Sequence, residues 1–246
     1  GKPYLRGIDE ILAMASEAVA KGATEVCLQG GIHPSYTGET YIEITKSIHE
    51  TFPNLHIHAF SPLEVWHGAE TMGLSVEDYL RRLKDVGLKS LPGTAAEILD
   101  DEVRAVICPD KLTTDLWLEI VEAAHNVGIP TTSTVMFGHV EQPHHVANHL
   151  IRIRDLQHRT CGFTEFVPLP FVHMEAPISL KNRSRRGPTL REAVLVHAAA
   201  RLVLYPHITN IQTSWVKMGL SGAKACLNAG VNDLGGSLMH ESISRA

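Results

Sequence analysis

Residues able to bind, donate or accept protons recur in one kind of place, directly after a short apolar run. Residues 24–28 lead into Gln29-Gly30-Gly31-Ile32-His33-Pro34, and 55–59 into His58-Ala59-Phe60-Ser61-Pro62. Residues 88–92 lead into Pro92-Gly93-Thr94-Ala95-Ala96-Glu97, and 130–137 into Gly138-His139-Val140-Glu141. The run 162–167 carries Glu165 and ends in Pro168-Leu169-Pro170-Phe171. Residues 208–212 run into Gln212-Thr213-Ser214-Trp215-Val216-Lys217, and 231–234 end in Asn232-Asp233-Leu234-Gly235-Gly236. Packing alone does not call for so many junctions rich in glycine, proline, histidine and carboxylates.

Each group admits a chemical use and a plain one. Paired glycines let backbone groups approach a ligand, as an amino-acid-like moiety requires, or simply form a tight turn. His33 before Pro34 touches a ligand or caps a turn. His56 and His58 are two apart and share one strand face, a spacing for zinc or for a pair at the core edge. His139 with Glu141 is an acid–base pair or part of a solvated loop. Glu97 and Asp233 each suit the N-terminal end of a following helix. The run Arg183, Arg185, Arg186 makes a solvated face or grips a polar substrate. Trp215 serves as core or as a stacking platform. Cys27, Cys108, Cys161 and Cys226 are far apart, so neither a zinc ribbon nor a complete iron–sulfur loop is encoded in these residues. Sparse cysteines fit reduced thiols in a cytoplasmic setting.

The elements that must position these junctions alternate along the chain. Helical apolar spacing covers 8–21, 39–51, 75–86, about 95–107, 113–127, 142–159, 189–204 and 220–229. Seven short strands separate them, at the runs already given. Alternation of this kind implies right-handed βαβ units and a parallel sheet. Residues 168–188 break the rhythm with Pro168, Pro170, Pro177 and Pro188 and are expected to form a long functional loop or lid. The 246 residues match the usual size of a (β/α)₈ barrel, whose active site lies at the C-terminal strand ends. An eighth strand is expected before residue 1, and no linker divides the chain, so 1–246 is expected to be one domain. Hydrophobic residues make up 44% and charged residues 20%, which excludes a disordered chain. Mean hydropathy is −0.01 and no apolar stretch is long enough to span a membrane. A net charge of −5 argues against a general nucleic-acid binder.

Taken together, the long junction motifs resemble those of the radical S-adenosylmethionine (SAM) enzymes that make deazaflavin. The match is to the CofH-type subunit, equivalent to the C-terminal half of fused FO synthases, and it runs over essentially the whole chain. It is carried chiefly by Thr164-Glu165-Phe166-Val167-Pro168-Leu169-Pro170-Phe171 and Gln212-Thr213-Ser214-Trp215-Val216-Lys217. The resemblance implies an α/β radical SAM barrel of the (β/α)₈ type. It implies a [4Fe–4S] cluster and SAM as cofactors, and a 5′-deoxyadenosyl radical that takes hydrogen from L-tyrosine. The Cα–Cβ bond then breaks, and the 4-hydroxybenzyl part joins 5-amino-6-(D-ribitylamino)uracil on the route to FO and coenzyme F420. Implied partners are a CofG-type radical SAM enzyme or fused half, and an electron donor such as ferredoxin or flavodoxin, with no nucleic acid and no membrane. The family's Cys-x₃-Cys-x₂-Cys loop has no counterpart here. It is expected upstream of Gly1 with the first strand, so no metal ligand is assigned and the piece alone is expected to be poorly soluble.

The resemblance also implies roles. Gln29, Gly30 and Gly31 match the family's second-strand SAM motif and are expected at the SAM amino group, with Glu97 at the SAM amine or ribose. His33, His58, His139 and Glu141 are candidates for tyrosine binding or proton movement, and Asp233 joins the catalytic candidates. Glu165, Gln212, Ser214, Lys217 and Asn232 offer the hydrogen bonds a uracil and ribityl chain demand. Three alternatives stand beside this. They are a menaquinone-pathway enzyme resembling aminofutalosine synthase, a zinc-dependent barrel hydrolase using His56, His58, His139 and Asp233, and an inactive fragment.

Overall fold

The computed structural model describes residues 5–237 and 239. They divide into two compact units. The first holds the described residues up to Pro92 together with Ala123–Pro130, and the second holds Gly93–Glu122 and the described residues from Thr131.

In the first unit α1 (Ile8–Ala20), β1 (Glu25–Leu28), α2 (Gly38–Thr51), β2 (His56–Ala59), α3 (Pro62–Met72) and α4 (Val76–Asp85) follow in order. The strands β1 and β2 are parallel, with Glu25 opposite His56 and Cys27 opposite His58. A further parallel bridge joins His58 to Ser90. Period-2 alternation therefore sets Glu25, Cys27, His56, His58 and Ser90 on one face. Ile57 is fully buried on the other, and α2 and α4 contribute Tyr41, Ile48, Tyr79, Leu80 and Leu83 to the core. Helix α3 is additional to the helices anticipated from sequence. Its start is nevertheless written there: Ser61 caps it, Pro62 occupies its first turn and Glu64 closes the capping box.

The second unit holds α5 (Asp101–Ile107), α6 (Thr114–Asn126) as far as Glu122, β3 (Thr131–Phe137), α7 (Pro143–Thr160) and β4 (Phe163–Pro170). It continues with α8 (Pro177–Leu180), α9 (Leu190–Leu204) and α10 (Trp215–Asn228). The strands β3 and β4 are parallel, and parallel bridges extend the pairing through Phe166–Ile211 and Gln212–Asp233. The sequence runs expected as strands at 88–92, 208–212 and 231–234 thus pair through single bridges.

Three boundaries move for physical reasons. Residues 95–100 are not helical, because Ala95 and Glu97 take left-handed backbone angles (φ 57° and 48°) that a right-handed helix excludes. Strand β4 continues to Pro170, further than its apolar run suggested. Helix α10 begins at Trp215 rather than 220, with Gly219 at φ 66° interrupting it and masking its period. The β3–β4 register also shifts: Thr131 opposes Phe163 but Ser133 opposes Phe166, so β4 carries one extra residue, a β-bulge around Thr164-Glu165. The bulge lets Phe163 and Phe166, three apart, both be buried while Glu165 stays half-exposed.

Candidate active-site rims

In the first unit the ends of β1 and β2 are tied together by one buried carboxylate. Glu64 is 3% exposed. Its Oε1 accepts the Gly30 N–H at 3.1 Å, and its Oε2 accepts the Ser61 N–H at 2.8 Å and the Ser61 hydroxyl at 2.7 Å. Burial raises its pKa, outweighing the hydrogen bonds that lower it. Sequence reasoning passed over Glu64, although the Ser-x-x-Glu spacing was its signal. Gly30 and Gly31 stand exposed beyond this strut, and no heavy atom lies within 4 Å of where a Gly31 side chain would begin. Gln29 is exposed and donates to Cys27 Sγ at 3.2 Å. His33 caps a turn: its Nδ1 meets the Ser35 hydroxyl at 2.7 Å and accepts the Ser35 N–H at 3.2 Å.

His58, 9% exposed, sits mid-rim with its Nδ1 2.7 Å from Ser90 Oγ. The same hydroxyl lies 2.7 Å from His56 Nε2. Burial, with His56 adding to it, lowers the His58 pKa to about 4, so this imidazole is neutral at physiological pH. Ser90 carried no sequence signal, because only the strand pairing brings it to the histidines.

In the second unit the turn 95–99 is fixed from below. The buried Arg104 donates to the carbonyls of Ala96 and Leu112, and the fully buried His149 accepts the Leu99 N–H at 3.0 Å. Glu97 is thereby held at the end of β3, where its carbonyl accepts the Met136 N–H. Its carboxylate pairs with Lys111 at 2.6 Å.

His139 and Glu141 are not part of a solvated loop. His139 is fully buried, its Nε2 3.0 Å from the Met136 carbonyl and its ring edge-on to Phe171. Its pKa is lowered, with burial the largest cause. Glu141 accepts the N–H of Gly138 at 2.7 Å and of His139 at 2.8 Å, and Arg185 Nη2 at 3.0 Å. Arg185 also reaches Glu192 at 2.6 Å. One of the three arginines of the basic run therefore clamps the 171–188 loop to the end of β3 instead of facing only solvent.

Glu165 Oε2 accepts from Gln212 Nε2 at 3.0 Å, Gln212 pairs with Asp233 through a parallel bridge, and the Gln212 amide fills the space a side chain at Gly235 would need. Asp233 Oδ1 accepts the Gly235 N–H at 2.6 Å. These four residues form one connected cluster. Asn232, expected at a substrate, has its side-chain oxygen occupied by Arg201 Nη2 at 2.8 Å and the Ile211 N–H at 2.9 Å. Ser214 stands at the start of α10, and Lys217 one turn further on. Lys217 borders a cavity of about 370 Å³ with Arg186, Phe171, Met174, Leu190 and Met218. Two cations on an apolar wall suit a ligand with an anionic group and an aromatic or aliphatic body.

Among the described residues one group of three His, Cys, Asp or Glu draws its ligand atoms within 4.8 Å, namely Asp100, Glu102 and His145. His145 Nδ1 accepts the Gln142 N–H at 3.0 Å, so in the neutral ring Nε2 carries the proton and has no lone pair for a metal. The zinc set His56, His58, His139 and Asp233 is not such a group, and the four cysteines are free. The open backbone at Gly30-Gly31 does fit an approaching amino-acid moiety such as that of SAM. Among the described residues no helix is long and apolar enough to cross a membrane.

Comparison with known proteins places the chain in a family. Residues 1–153 match the Radical SAM superfamily and residues 160–246 the CofH/MqnC C-terminal region. The chain is 52% identical over 242 residues to FO synthase of Streptomyces coelicolor, covering 98% of this chain and 28% of that protein. It is 50% identical over 242 residues to FO synthase of Mycobacterium tuberculosis, again covering 98% and 28%. It is 48% identical over 246 residues to 5-amino-6-(D-ribitylamino)uracil–L-tyrosine 4-hydroxyphenyl transferase of Methanothermobacter thermautotrophicus, covering 100% and 67%. The chain thus spans little more than a quarter of the length of those FO synthases. Among solved structures, methylornithine synthase (TM-score 0.70, 18% identity) is covered to 63% by 95% of this chain. The hydrogenase maturase HydG (TM-score 0.72, 12% identity) is covered to 50% by 95% of this chain. These likenesses establish the α/β barrel class anticipated from the strand–helix alternation. On profile and identity alike, this chain belongs to the radical SAM superfamily, in the branch that carries the CofH/MqnC C-terminal region.

Proposed function

We propose that the protein containing this chain is a cytoplasmic radical SAM transferase that joins the 4-hydroxybenzyl part of L-tyrosine to 5-amino-6-(D-ribitylamino)uracil in FO formation. The observation that carries this is the 48% identity, over all 246 residues, to the Methanothermobacter transferase of that name. A [4Fe–4S] cluster and SAM, when bound, supply the carbon radical such a reaction needs. A CofG-type enzyme or fused half would complete the deazaflavin ring, and a low-potential donor such as ferredoxin or flavodoxin would reduce the cluster.

The residues support this division of labour. The exposed backbone of Gln29-Gly30-Gly31, steadied by Glu64, suits the amino group of SAM. His58 is buried and neutral at physiological pH, so a proton it takes from a substrate is held only transiently and must be passed on. Glu165, Gln212 and Asp233 offer acceptors and an amide donor of the kind a uracil ring and ribityl chain require. The 171–188 loop, clamped by Arg185, suits a cover that keeps water from a radical. We assign the whole chain to a single barrel domain.

The test is anaerobic turnover of the full-length protein, reconstituted with iron and sulfide and supplied with SAM, reductant, tyrosine and the ribitylaminouracil. A tyrosine-dependent coupled product is expected. SAM cleavage that ignores both substrates but responds to a futalosine-type substrate would move the protein to the menaquinone branch.

A further inference from the structure

We propose that Glu25, His56, Ser90 and His58 form a proton wire running from the buried His58 to solvent. Glu25, His56 and Ser90 have no assigned role in the radical SAM reaction proposed above. All four lie on one face of the β1–β2–Ser90 pairing, in the order the strand register dictates. Ser90 Oγ is 2.7 Å from His58 Nδ1 and 2.7 Å from His56 Nε2. His56 Nε2 is 3.7 Å from Glu25 Oε2, with side chains 43% and 51% exposed. His58 and Ser90 are 9% and 7% exposed. The wire therefore begins in the interior and ends in water. His58 Nε2 hydrogen-bonds no described residue, which leaves it for a substrate proton.

The chemistry of one hydroxyl between two imidazoles makes the arrangement conductive. A serine hydroxyl donates one hydrogen bond while accepting others. With His58 Nδ1–H donating to Ser90 and the Ser90 O–H donating to His56 Nε2, a proton arriving at His58 Nε2 makes that ring an imidazolium. Its Nδ1 proton passes to Ser90 Oγ while the serine proton passes to His56 Nε2. His58 is again neutral, now as its Nε2–H tautomer accepting the Ser90 O–H at Nδ1, and His56 carries the charge until it releases a proton to water, after which the hydroxyl and the tautomer turn back. No bond other than N–H and O–H bonds changes, and no electron moves. The charge is driven outward, because burial disfavours it on His58, whereas the His56 side chain is 43% exposed and water can solvate it there. The remaining titratable neighbour on β1 is Cys27, opposite His58, whose thiol burial keeps protonated.

The direction of flow rests on the tyrosine-cleaving function proposed above, whose substrates carry dissociable protons on ammonium, phenol and amine groups. The wire itself does not depend on that function, so two readouts separate the claims. The first is exchange with water of the His58 ring N–H, followed by nitrogen-15 histidine NMR on the full-length protein. Ser90→Ala and His56→Gln should slow it roughly tenfold or more, while Ser90→Thr, which keeps the hydroxyl, restores it. Exchange at the wild-type rate in both broken variants overturns the wire whatever the enzyme's substrate. The second is turnover with tyrosine and the ribitylaminouracil. His56→Ala should lower it roughly tenfold and shift its pH profile, with added imidazole restoring the rate. Unchanged turnover, or a loss that imidazole leaves untouched while SAM cleavage also falls, assigns His56 a structural part and overturns the relay. A wild-type protein that makes no coupled product refutes the function and leaves the exchange measurement to decide the wire.

Discussion

Replacing Glu141 by glutamine tests whether this residue holds the rim or carries protons. Its two oxygens face different donors: Oε1 meets Gly138 N and Arg185 Nη2, and Oε2 meets His139 N. A glutamine has one oxygen and one NH₂. Whichever way the amide turns, its NH₂ faces a backbone N–H at the distance where an acceptor stood. Glu141 is 6% exposed and His139 fully buried, so water does not replace the lost acceptor. An orphaned buried donor costs about 1–3 kcal/mol, so Glu141→Gln should destabilise by about 2 kcal/mol, or roughly 30-fold in the folding equilibrium. Arg185 is 45% exposed and retains Glu192. Solvent screening holds the cost of Arg185→Gln to about 1 kcal/mol or less. The double variant should cost less than the sum, because both single changes remove the same ion pair. Urea unfolding of the full-length protein gives the energies, and hydrogen exchange at Gly138 and His139 localises them. A Glu141→Gln protein as stable as wild type but inactive would refute the structural account and restore Glu141 as an acid–base group.

Three further outcomes follow from the same geometry. Glu64→Ala removes the acceptor for Ser61 N, Ser61 Oγ and Gly30 N. It should cost about 2 kcal/mol by urea unfolding, from the orphaned Ser61 N–H and the lost return half of the capping box, while Ser61 still caps the helix, and calorimetry should show weakened SAM binding. His149 has its pKa lowered to about 3 by complete burial. A base depressed on folding contributes stability that is present above its unfolded pKa near 6.5 and lost as pH falls toward 3. Stability should thus drop by up to about 1.4 kcal/mol per pH unit below 6.5, a slope that His149→Gln flattens in urea titrations at stepped pH. Gly93→Ala would place a methyl 2.2 Å from the Thr132 carbonyl oxygen, which is backbone and has little room to move. A loss of about 3 kcal/mol or more is expected, read from the urea midpoint.

The sequence by itself determined the alternation of strand and helix, because apolar period and caps are local properties. It also determined where chemistry concentrates, since glycines, prolines and polar residues follow each strand whatever the rest of the chain does. Ser75 as a helix cap was legible for this reason, and so was the family, through Thr164–Phe171 and Gln212–Lys217. Tertiary structure alone decided which of these residues have their polar atoms already engaged. The Asn232 side-chain oxygen is held by Arg201 and the Ile211 N–H, and the Glu141 carboxylate by two backbone amides and Arg185. Glu165 depends on a bulge that shifts the β3–β4 register, which no single-strand pattern encodes. Ser90 meets two histidines more than thirty residues away only because parallel pairing brings it beside β2. Composition and spacing fix which groups are available. Hydrogen-bond partners arrive through space, and they decide which groups remain free to act.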